Sequence, residues 1–176
     1  MNWTSFGQRY IRDIVYAAND GLVTTFAVVA GARGAQLATI AVVALGFANL
    51  AADGLSMGLG NYLGIKSERA TELKGRYDER RESKNAAKHA VVTWVSFVIV
   101  GLVPLTPFIL GGSAESSFTI SVVATGVTMF GVGSARTFVT RQSPWRGGLE
   151  MLLVGAVASS AAFAAGLLAD RFVNST

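Results

Sequence analysis

Asp20, Asn49, Asp53 and Met57 each stand inside a long apolar stretch, where a polar or ligating side chain is costly if the stretch crosses a bilayer. Asn49, Asp53 and Met57 follow one another at intervals of four residues, so a helix stacks an amide, a carboxylate and a thioether on one face. Oxygen ligands with one soft thioether suit a divalent transition ion such as Fe²⁺ or Mn²⁺ better than Mg²⁺ or Ca²⁺, which take oxygen alone. At a rise of 1.5 Å per residue, Asp20 lies about 12 Å beyond Arg12 and Met57 about 14 Å before Lys66, which brings the two to a similar depth. Asp53 and Asn49 follow at about 20 and 26 Å. No Lys or Arg shares an apolar stretch with Asp20 or Asp53, so ion pairing within the same segment does not account for them. Asn19, Asn49 and Asn61 also fit the plainer role of hydrogen-bonding helices together, and Met57 that of apolar filler. Glu150 has an interfacial partner close by in Arg146, and His89 reads as an interfacial anchor.

Five apolar stretches must position these residues, at about 14–32, 37–63, 89–110, 118–135 and 149–169. Each approaches or exceeds the roughly 20 residues a helix needs to cross a hydrocarbon core. The fold class predicted is therefore all-α, a single membrane domain of five transmembrane helices. Residues 31–34, Gly-Ala-Arg-Gly, read as the tight turn between the first two spans, and 111–117 as a turn between the third and fourth. Pro104 and Pro107 kink or end the third span, because each removes a backbone donor and clashes with the preceding turn. Between the second and third spans, residues 66–88 interleave acids and bases at spacings that suit a short solvated helical hairpin. Gly54 with Gly58, and Gly60 with Gly64, are paired small residues that let membrane helices approach closely, and the glycines of the fourth and fifth spans act likewise.

Composition agrees with this reading. About half of the 176 residues are hydrophobic and 15% are charged, with a mean hydropathy of +0.45. The absence of cysteine excludes disulfides, thiolate metal sites and cysteine nucleophiles, and a single histidine excludes multi-histidine metal sites within one chain. No nucleophile and base pair at catalytic spacing stands out, so an enzyme is not expected. The net charge of +4 reflects topology instead of nucleic-acid binding. Thirteen Lys and Arg fall on the side of the N-terminus and the charged segment and two on the other, which places the N-terminus in the cytosol and the C-terminus outside. The first residues lack the pattern of a cleaved signal, and a cell membrane is the default location.

The segments RDIVYAANDGLVTTFAVVAG (12–31) and ANLAADGLSMGLGNYLGIKSE (48–68) resemble the first two spans of the vacuolar iron transporter family. The proline-kinked third span and RQSPWRGGLEMLLVG (141–155) are similar to its later spans, so the resemblance covers nearly the whole chain. It implies a homodimer with the ion path between the copies, exporting Fe²⁺ or Mn²⁺ from the cytosol against inward protons, with no resident cofactor. The family's pore aspartate and methionine fall on Asp20 and Met57, the pair already matched by depth. Where several members carry a glutamate two turns before the methionine, this chain has Asn49, with Asp53 one turn closer as a second ligand or proton acceptor. The family's long cytosolic metal-collecting region is reduced to about two dozen residues without methionine, in which Glu68, Glu72, Glu79 and Glu82 are the acids left to attract cations. The alternative is a non-transporting membrane scaffold or partner subunit, whose glycines and amides serve packing alone.

Overall fold

The computed structural model of the chain describes residues 3–72, 79–140 and 143–175. They form helices α1 (Trp3–Gly34), α2 (Thr39–Glu72) and α3 (Glu79–Gly101), a 3₁₀ turn at Val103–Leu105, the short α4 (Thr106–Leu110), α5 (Ala114–Thr140) and α6 (Pro144–Asn174). Five segments are long and apolar enough to cross a membrane: Tyr10–Gly34, Thr39–Thr71, Ser83–Leu110, Ala114–Thr137 and Pro144–Asn174. The chain is a multi-pass, all-α membrane protein, and no strand occurs among the described residues. The helices run past the apolar stretches because their polar ends continue the same backbone hydrogen-bond ladder into water. Of the hairpin expected over 66–88, α2 and α3 supply the flanks, while 73–78 lie outside the described residues.

Helix α1 is the axis of the fold. On one side Ala17, Phe26, Val29 and Ala32 pack with Val42 and Leu50 of α2, Phe97 of α3 and Leu105 and Phe108 beyond it. On the other side Leu22 packs with Met129 of α5 and Met151 of α6. Gly21 sets the closeness of the first contact, since a Cβ there would lie 2.6 Å from the Phe97 carbonyl oxygen. Large apolar side chains such as Ile40, Leu59, Ile99, Val127, Leu153 and Val157 point outward, the expected pattern where the surrounding solvent is lipid.

Two turns differ from expectation. The first connection falls at residues 35–38, not 31–34, with Gln36 in the left-handed region at φ 53°. Gly31 and Gly34 remain helical because they are spent on packing, against Ala162 and Phe163 of α6. The second connection is shorter than 111–117, for α5 begins at Ala114. The prolines do break the third span, ending α3 at Gly101, and two buried serines of α5 meet the backbone at the break. Ser121 Oγ donates to the Pro104 carbonyl at 2.7 Å and Ser117 Oγ to that of Pro107 at 3.2 Å.

Candidate functional site

A cleft of about 940 Å³ opens between α1, α2 and α3. Asp20 of α1 and Asp53 and Met57 of α2 line it together. The two carboxylates lie within electrostatic reach of each other. Among the described residues the Asp20 carboxylate has no hydrogen-bond partner; Thr24 Oγ1 donates to the Asp20 backbone oxygen instead, at 2.9 Å. Met57 is half-buried and also touches the first core cluster, so its thioether stands where apolar packing meets the cleft.

Asn49 holds a different position. Its Nδ2 donates to Asp53 Oδ2 and its Oδ1 accepts from the buried Thr25 Oγ1 at 3.2 Å, a polar thread from α1 to the cleft carboxylate. It is not among the residues lining the cleft. Glu68 lines the outer part of the cleft and is exposed, whereas the side chain of Glu72 lies outside the described residues.

Nearer the N-terminal end of α1, a second polar group closes the cleft wall. His89 Nδ1 of α3 donates to Asp13 Oδ2 of α1 at 2.5 Å, and Asn61 Nδ2 of α2 donates to Asp13 Oδ1 at 3.2 Å and to Thr93 Oγ1 at 2.7 Å. The Tyr10 ring packs on the imidazole with centroids 4.5 Å apart. His89 thus lines the cleft, held by Asp13 and Tyr10. Sequence reasoning missed Asp13. The available signal was its position seven residues before Asp20, two helical turns away on the same face. Glu150 pairs with Arg136 across α5 and α6, not with Arg146, because antiparallel packing brings Arg136 to it whereas Arg146 is exposed on its own helix. Asn19 faces a separate cavity of about 670 Å³ with Arg12, Tyr16 and residues of α5 and α6.

The VIT family model matches residues 11–88 and 74–167. The chain belongs to the VIT family. Relatives include vacuolar iron transporter 1 of Eucalyptus grandis, 29% identical over 87% of this chain and 84% of the relative, and vacuolar iron transporter 1 of Arabidopsis thaliana, 28% identical over 87% and 83%. The vacuolar iron transporter of Toxoplasma gondii is 24% identical over 98% of this chain and 78% of the relative. The first alignment spans 208 positions, more than the 176 residues present here, so the relatives carry residues this VIT-family chain lacks. The two matched stretches overlap at 74–88, within the shortened charged segment. Among the described residues no three His, Asp or Glu side chains gather to hold an ion; two carboxylates and one thioether, from Asp20, Asp53 and Met57, share the cleft lining.

Proposed function

We propose that this VIT-family chain is a transporter that exports divalent Fe²⁺ or Mn²⁺ from the cytosol in exchange for protons. The observation that carries the reading is the meeting of Asp20, Asp53 and Met57 from two helices on one cleft within the spans. Carboxylate oxygens with a thioether favour such ions, and the relatives' names specify iron. A carboxylate withdrawn from water favours its neutral form, so metal and proton compete for one place. Thr25 and Asn49 orient Asp53, and Glu68 and Glu72 draw cations to the cytosolic mouth. No residue takes a catalytic role, because translocation makes and breaks no covalent bond.

The transporter works as a homodimer whose second copy completes the coordination sphere. Ala48, Ala52, Ser56, Gly60 and Gly64 form an exposed stripe of small residues along α2, and a Cβ at Gly60 or Gly64 would meet nothing within 4 Å. In lipid such a stripe permits close helix approach, and each member directly precedes one of Asn49, Asp53, Met57, Asn61 and Ile65. A copy docked there brings a second Asp20 and Met57 toward the first. The thirteen-to-two distribution of Lys and Arg supports a cytosolic N-terminus.

Proteoliposomes loaded with a metal-sensitive dye test the reading. Asp20→Ala and Met57→Ala each lower the initial rate of Fe²⁺ and Mn²⁺ uptake by at least about tenfold, the scale seen when a metal site loses a supporting group. Wild-type rates in both variants would overturn the proposed site.

A further inference from the structure

We infer that Asp13 and His89 form the proton port of the cleft, the place where protons pass between the metal-binding carboxylates and cytosolic water. The inference rests on the transport reading above and adds residues to it.

His89 is the chain's single histidine, and histidine is the side chain whose ordinary titration falls in the physiological range. Its position in the fold is specific. The imidazole lines the same cleft as Asp20 and Asp53, with its side chain 14% exposed against 13% for Asp13, so it reaches water without being loose in it. Bonding of Nδ1 to Asp13 leaves Nε2 to take and give the proton, the division of labour by which a carboxylate fixes a histidine tautomer. The groups facing it are known from both helices packed on α3. Helix α1 presents Tyr10, Arg12 and Asp13; α2 presents the Asn61 amide and, farther out, Glu68 and Arg69; Asn85 and Lys88 adjoin it on α3. The contacts bind three helices, so a change of charge on the imidazole is felt by each of them.

The proton balance is simple. A metal ion arriving from the cytosol displaces protons from the cleft carboxylates; each passes through water to Nε2 and leaves from the imidazolium to the cytosol. When the ion departs outward, protons from that side restore the carboxylates.

The test uses the intact protein in liposomes, with a metal dye in one sample and a pH dye in another. His89→Gln keeps a donor for Asp13. It is expected to slow metal uptake and metal-driven proton flux together, at least about fivefold, and to flatten the dependence of the uptake rate on pH. An unchanged pH profile and proton flux in the variant would overturn the port while leaving the transporter intact. Metal flux in wild type with no accompanying proton flux would overturn both. If the variant fails to fold, the wild-type protein in nanodiscs with ¹⁵N-labelled histidine gives a single imidazole signal. The port requires that signal to respond to pH, and a static signal rejects it.

Discussion

Asp53 and Asn49 show how one turn of helix decides what a side chain does. Both lie on the same face of α2, yet Asp53 reaches the cleft while Asn49 bridges it to Thr25. The hydrogen bond costs Asp53 part of its freedom and fixes one oxygen, which leaves the other open toward the cleft. If the carboxylate of the family's glutamate position has moved one turn toward the cytosol, charge is what matters and its register is adjustable. Asp53→Ala should then reduce Mn²⁺ uptake about tenfold, a loss of roughly 1.4 kcal/mol. Adding Asn49→Glu to that variant should recover at least a third of the wild-type rate. Recovery with Asn49→Gln as well would show that the amide thread, not the charge, had been lost.

At the scale of the helices, small residues set the distances on which the cleft depends. Gly21 lets α1 and α3 approach closely enough for Asp13 to bond His89, and a larger side chain there must push backbone away from backbone. Gly21→Val should lower stability by at least about 2 kcal/mol, the range of overpacking. Gly131→Val, at a site with nothing within 4 Å of a Cβ, should leave the thermal midpoint in detergent nearly unchanged. Equal losses would mean that added bulk on any helix, not the contact with Phe97, sets the cost. The five spans were legible because lipid demands long apolar runs with their backbone bonds closed internally. The alignment of Asn49, Asp53 and Met57 followed from the helical period alone. Gly31 and Gly34 misled because a glycine that packs against α6 and one that forms a turn look the same in sequence. Asp13 with His89, and Arg136 with Glu150, stayed hidden because their pairing depends on how separate helices register, which no local pattern records.

At the scale of the whole molecule, α1 carries one core on each side, and α2 is left with a small-residue face that no other described residue covers. Helices in lipid gain little from burying apolar surface against each other, so close van der Waals contact decides where they associate. Large residues cover the outer face of α6, including Leu153, Val157 and Phe172, and these suit contact with acyl chains. The α2 stripe suits another α2. Because the chain has no cysteine, a single introduced thiol reports this arrangement without background. Ser56→Cys should form an intermolecular disulfide under mild oxidation in membranes, since the bond needs Cα atoms within about 7 Å. Leu153→Cys should form no such cross-link under the same treatment. Gly60→Trp, added to Ser56→Cys, should abolish the cross-link and reduce metal uptake with it, because separated copies would no longer share their aspartates and methionines. Cross-linking through Leu153→Cys but not Ser56→Cys would put the dimer on the opposite face and leave each cleft to work alone.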